Sequence, residues 1–170
     1  MKMTRGFTLV ELLVVLAIVA VLAGLGFPVV SGFVARSREA ACLNNLRSMG
    51  VALEGYMQEN NQKLPILATG RASKNEDIPV IETALLPYLE DPSAFHCPQD
   101  RVEFEKSGSS YSWLTLANGQ QLASLTVFNI KDRSDKIPLI YDKESWHPSG
   151  SNFLYADLSS SNKERFAAGN

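Results

Sequence analysis

Cysteine and histidine are scarce: the 170 residues hold two of each. Cys42 and Cys97 exclude a disulfide-dense scaffold. No Cys-x-x-Cys pair offers the spacing of a structural zinc site. His96 and Cys97 are neighbours, and adjacent residues rarely ligate one metal together. No glycine-rich phosphate loop and no H-E-x-x-H motif is present, so nucleotide binding and metalloproteolysis have no recognisable signature. An excess of charge of one sign is also missing. The formal net charge is −2 and no basic block stands out, so counterion-driven binding has no footing and no nucleic-acid partner is expected. Internal repeats and low-complexity tracts are absent as well.

The sharpest shortage is local. From Phe7 to Ala35 there is one charged residue, Glu11. Leu12 to Val30 is nineteen residues without a polar side chain. As a helix this stretch spans roughly 28 Å, close to the hydrocarbon thickness of a bilayer. Lys2 and Arg5 precede it, and Arg36 and Arg38 follow it. A cleaved secretory signal would have this basic start and apolar core, with a small-residue site at Val21-Leu22-Ala23, but it has no place for Glu11. A plain membrane anchor leaves Glu11 unexplained too, because a carboxylate deep in a membrane helix costs about 3 kcal/mol. A cut after Gly6 supplies a partner. Phe7 then carries a free ammonium, and Glu11 lies one helical turn on, able to neutralise it within the chain or on a neighbour.

The stretch RGFTLVELLVVLAIVAVLAGL resembles the class III signal of type IV prepilins and type II secretion pseudopilins. The resemblance implies cleavage by a prepilin peptidase between Gly6 and Phe7, N-methylation of Phe7, and Glu11 as the assembly residue that sets register. Pro28 matches a helix-breaking proline of that family. The implied partners are the prepilin peptidase, other pilins or pseudopilins, an inner-membrane assembly platform and membrane lipid. The implied place is the bacterial inner membrane, single-pass, with the C-terminal domain in the periplasm, in a pseudopilus or a surface fibre.

Beyond the weak spot made by Gly24, Gly26, Pro28 and Gly32, helical periodicity resumes. Leu43, Leu46, Gly50, Leu53 and Met57 recur at three- and four-residue steps, with Met49 and Tyr56 beside them. Asn60-Asn61 and Pro65 end the helix. A loop over 66–75 follows, then a short helix over Ile81–Leu89. Strands are expected at 111–116, 137–141 and 152–156, and a fourth at 125–130. The fold class is therefore α+β: a long N-terminal helix, transmembrane in its first half and amphipathic in its second, packed on a small, mostly antiparallel sheet. The divisions are a leader 1–6, an assembly helix 7–35, its amphipathic continuation 36–61, and a globular domain 62–170.

The segments CLNNLRSMGVALEGYMQEN, LLPYL, FHCPQD, YSW and HPSGSNFLYAD also resemble a branch of pseudopilin-like proteins that ends in His, nine residues and Asp-Gly. His147 and Asp157 keep that spacing, while Leu158 stands where the glycine would. A structural role in the loop and strand end outweighs catalysis here, since no nucleophile accompanies the pair. Cys42 and Cys97 either bridge, tying the long helix to the FHCP loop, or stand as two buried thiols. No cofactor is certain. The resemblance to major pseudopilins makes calcium a candidate, with Asp132, Asp135, Asp142 and Asp157 as oxygen donors, although their spacing matches no defined calcium loop. Trp113, Trp146 and Tyr155 read as core aromatics rather than a stacking face. The chain thus reads as a non-enzymatic, pilin-like structural subunit. The alternative is a membrane-anchored periplasmic domain that binds polysaccharide or DNA and borrows a prepilin-type signal.

Overall fold

A computed structural model describes residues 8–89 and 91–166, with residues 25–29 described by backbone only. Gly6 and Phe7 lie outside the described residues, as does the side chain of Pro28. Two units are present, Met1–Ala35 and Arg36–Asn170. The fold is α+β, a long helix and a small antiparallel sheet.

Helix α1 runs Leu9–Glu59 and continues through position 28. Among the described residues no helix is long and apolar enough to cross a membrane. Its second half buries Cys42, Leu46, Met49, Ala52, Leu53 and Met57. This is the expected stripe, rotated so that Cys42 lies in it and Leu43 sits at its edge. The helix ends as Asn61 and Gln62 turn into the left-handed region (φ 55° and 60°) and the Gln62 amide returns to the Met57 carbonyl at 2.8 Å.

The expected helix over 81–89 is shorter. Helix α2 covers Ile81–Leu85 and tightens into a 3-10 turn, Leu86–Tyr88, because Pro87 has no amide to continue the α pattern. Helix α3, Glu103–Ser107, closes on Gly108 with φ 90°. Strands β1 (Tyr111–Trp113), β4 (Pro138–Asp142), β5 (Phe153–Tyr155) and β6 (Ser160–Ser161) form one antiparallel sheet in that order. Trp113 stands opposite Ile140, and Ile140 opposite Leu154, with a bulge between Pro138 and Ile140. The run 125–130 is not one strand. It folds as a hairpin of β2 (Thr126–Val127) and β3 (Ile130–Lys131), because Phe128 and Asn129 both adopt positive φ, 48° and 61°, the geometry of a tight two-residue turn.

The α1 stripe, α2, β1, β4 and β5 share one core with Trp113, Tyr111, Leu139 and Ile140 at its centre. Trp113 and Tyr155 are fully buried, and Trp146 packs at the edge. The Trp113 indole donates to Asn118 Oδ1 at 2.7 Å, so the buried ring leaves no orphan donor.

Candidate functional site

Two places gather the residues singled out by the sequence. The first is the start of α1. The Thr8 amide and hydroxyl each donate to Glu11 Oε2 at 2.9 Å, and the Glu11 amide donates back to Thr8 Oγ1 at 3.3 Å. This is a reciprocal capping box: Thr8 at the cap and the acid three residues on satisfy amides that the first helical turn leaves unpaired. The pattern Thr-x-x-Glu before an apolar run carries that signal in the sequence, and reading Glu11 solely for a charge partner passes over it. The carboxylate also faces the positive end of the helix macrodipole. Both residues are exposed, so Glu11 keeps lone pairs free to accept from a further cation.

Behind Glu11, every described side chain from Leu9 to Gly24 is exposed. Leu9 is 74% exposed and Phe33, further along, 67%. Apolar residues occupy all sides of this stretch, so no face of it can be turned to water without cost.

The second place is the buried end of the globular unit. Cys42 on α1 and Cys97, in the loop before α3, form a disulfide with Cα atoms 5.1 Å apart. The FHCPQD segment is held by hydrogen bonds. Asn45 donates to the His96 carbonyl at 2.8 Å, and the Cys97 amide donates to Ser110 Oγ at 2.9 Å. Asp100 accepts the amides of Val102, Glu103 and Phe104 at 2.8–2.9 Å and the Ser110 hydroxyl at 2.6 Å. Burial works to raise the Asp100 pKa, but the Ser110 hydroxyl and the three amides outweigh it and hold the carboxyl below its ordinary value. The aspartate of this segment is therefore the cap of α3. His96 stacks on Phe104, 4.4 Å between centroids, and takes no part in the sulfur chemistry.

His147 lies in a tight turn. Its amide donates to the Gly150 carbonyl at 3.3 Å, and the Gly150 amide returns the bond at 2.9 Å. Gly150 needs φ 102°, which a side chain would resist. The His147 ring points inward, with Nε2 donating to Asp142 Oδ2 at 3.2 Å and standing 3.5 Å from Cys97 Sγ. Burial pushes the Asp142 carboxyl up, against the bonds from His147 and from the Asn152 amide at 2.7 Å. Nearby, Glu39 of α1 accepts the Ser149 hydroxyl and, at 3.0 Å, the Asn162 amide group. Burial works to raise its pKa, but these donors hold the carboxyl below its ordinary value.

The signature pair is thus separated in role. Asp157 is exposed, accepts the Ser159 amide at 2.9 Å and hydroxyl at 2.6 Å, and lies 3.6 Å from Arg165. Leu158 itself takes the left-handed conformation (φ 60°) that a glycine would hold more cheaply, and the turn from β5 to β6 forms around it. The four aspartates weighed for calcium do not gather. Asp135 pairs with Arg133, Asp142 is buried against His147, and Asp132 is an exposed turn residue at φ 58°. Among the described residues, the metal-capable side chains that do converge are Cys42, Cys97 and His147. A polar cavity of about 510 Å³ is lined by Arg38, Asp100, Arg101, Glu103, Glu144 and Trp146 among others, and by none of these three.

Residues 1–27 match the prokaryotic N-terminal methylation motif. The chain is 36% identical over 58 residues to the type IV major pilin protein PilA of Myxococcus xanthus (strain DK1622). That stretch is 34% of this chain and 26% of the relative, so the chain spans about a quarter of that protein's length. No solved structure matches. The prepilin-type signal and this similarity support a type IV prepilin- or pseudopilin-like family.

Proposed function

We propose that this chain is a structural, non-catalytic fibre subunit, of a type IV pilus-like filament or a type II secretion pseudopilus. It is made as a precursor held in the bacterial inner membrane with its globular unit in the periplasm. A prepilin peptidase cuts after Gly6, Phe7 is methylated, and an assembly platform draws the arm out of lipid and into a bundle of sibling arms. The observation that carries this reading is the apolar arm: from Leu9 to Gly24 its described side chains are exposed on every side and need cover from outside the chain. Lipid and then neighbouring arms supply it.

Glu11 has two successive roles in this reading. In the isolated chain it caps its own helix through Thr8. In the fibre its free lone pairs receive the new ammonium of a neighbour, because a charge enclosed among apolar helices is tolerable only when paired.

The test is the intact mass and N-terminal sequence of the membrane-extracted protein, made with and without a prepilin peptidase. A chain that starts at methylated Phe7 only when the peptidase is present supports the reading. A start at Met1 in both would leave an anchored domain, and a start near Gly24 an exported soluble one. Either of those overturns it.

A further inference from the structure

Three separate stretches deliver side chains to one buried point: Cys42 from α1, Cys97 from the loop before α3 and His147 from the turn after β4, whose imidazole is held by Asp142 at the end of that strand. The two sulfurs and a ring nitrogen of His147 lie within 4.8 Å of one another. Tetrahedral zinc, with Zn–S about 2.3 Å and Zn–N and Zn–O about 2.0–2.1 Å, sets N···S edges of about 3.5 Å and N···O edges of about 3.3 Å. His147 Nε2 stands 3.5 Å from Cys97 Sγ and 3.2 Å from Asp142 Oδ2. The His147–Cys97 contact already has the length of an edge in a zinc site, while Asp142 is a neighbour of the imidazole and not one of the three convergent groups. The sulfur pair alone is too close, because it is bonded; as two thiolates it would open to about 3.8 Å.

Asp142 Oδ1, His147 Nδ1 and both amide atoms of Asn152 are buried without a hydrogen-bond partner among the described residues. A disulfide needs no polar neighbours, and a buried polar atom without a partner is destabilising. These orphaned atoms are not the ones turned to the sulfurs; His147 Nε2 is, a buried ring nitrogen 3.5 Å from Cys97 Sγ that a metal could use.

We propose that the reduced chain holds a zinc ion on Cys42, Cys97 and His147, with Asp142 positioning the imidazole, and that the disulfide is the alternative state of the same site. Reduction by a trialkylphosphine and water breaks the S–S bond, giving two thiols and the phosphine oxide. Each thiol that binds zinc releases its proton. In the reverse direction a disulfide oxidant accepts two electrons from the thiolates and two protons from water, leaving as two thiols; the Cys42–Cys97 bond re-forms, and Zn²⁺ leaves. Zinc ties the same two cysteines that the bridge ties, so the helix stays fastened to the FHCP loop before oxidation as well as after it. The site does not depend on entry into a fibre.

The experiment uses the full detergent-extracted chain, reduced by phosphine under inert gas and titrated with Co²⁺. A thiolate-to-cobalt charge-transfer band saturating at one equivalent, with tetrahedral d–d bands that zinc abolishes, is the expected result. The oxidised chain should give no band. His147→Ala and Asp142→Asn should each weaken binding by about 10-fold or more. Near-UV circular dichroism follows folding in the same samples. If the reduced apo chain loses its tertiary signal, zinc should restore it in the parent and not in Cys42→Ser. The proposal fails if the reduced, folded parent gives no band. It fails if His147→Ala leaves the spectrum and affinity unchanged. It also fails if an unfolded reduced chain is not refolded by zinc.

Discussion

The arm and the globular unit solve opposite problems with similar residues. The arm leaves Leu, Val and Ile exposed along Leu9–Leu22, whereas the globular unit hides Leu46, Leu53, Ile81 and Ile140 almost completely. The arm's single charge is spent on its own helix end, while the globular unit buries Glu39, Asp100, Asp142 and His147 among specific donors and acceptors. An apolar surface with one acid is a surface waiting for copies or lipid. A core whose buried carboxylates are each held by specific donors is committed to a single packing.

The largest expected effect falls on the arm. Glu11→Ala should abolish incorporation into fibres while the thermal unfolding of the globular unit is unmoved, measured by fibre shearing and by calorimetry. Thr8→Ala, which removes only the cap, should cost about 1 kcal/mol of local helix stability and leave assembly measurable. Fibres of normal yield from Glu11→Ala would break the contrast, because the acid would then be no more than a cap.

The next effect falls on the globular unit. Cys42 and Cys97 close a loop with sequence separation 55, so the chain-entropy cost of losing the bridge is about 4 kcal/mol. Cys42→Ser should lower the urea midpoint accordingly when no zinc is present. A loss below about 1 kcal/mol would show that the reduced state keeps its own constraint.

A matched pair of leucines sharpens the comparison. Leu46 is 0% exposed and Leu16 is 56% exposed. Leu46→Ala should cost about 3 kcal/mol in a denaturant series. Leu16→Ala should leave that midpoint in place and weaken only association between copies. Equal effects on unfolding would mean that the arm is packed within the chain.

The smallest effect concerns acid. Asp100 has a depressed pKa in the folded chain, so its contribution is present above its unfolded value, near 4, and disappears as pH falls through the lower folded value. Asp100→Asn, which keeps the shape and loses the charge, should cost about 2 kcal/mol at neutral pH. The cost should shrink toward acid, where the parent becomes protonated too. A cost independent of pH would show that the hydrogen bonds, and not the charge, do the capping.

Much of the arm was legible because its information is local. An apolar run, a glycine-phenylalanine pair and an acid four residues on can be read without knowing the fold. Most of the helix stripe was legible for the same reason: period and burial agree at Leu46, Gly50, Leu53 and Met57, while Cys42 is buried where the period pointed to Leu43. Local reading failed where two positive-φ residues in succession matter more than composition. Phe128-Asn129 carries no glycine, so the run around it looks like one strand and folds as a hairpin. The His147–Asp157 spacing suggested a pair, but the second member faces solvent and the working partner of His147 is Asp142, five residues before it.

The sequence by itself determined the signal, the apolar arm, the course of the long helix and the places of the main strands along the chain, because each depends on neighbours within a few residues. Tertiary structure alone decided what surrounds the disulfide. Cys97 and His147 are 50 residues apart in sequence and 3.5 Å apart in space. No periodicity encodes such a meeting; it follows from how β1, β4 and β5 register against one another and against α1, which is a property of the packed core.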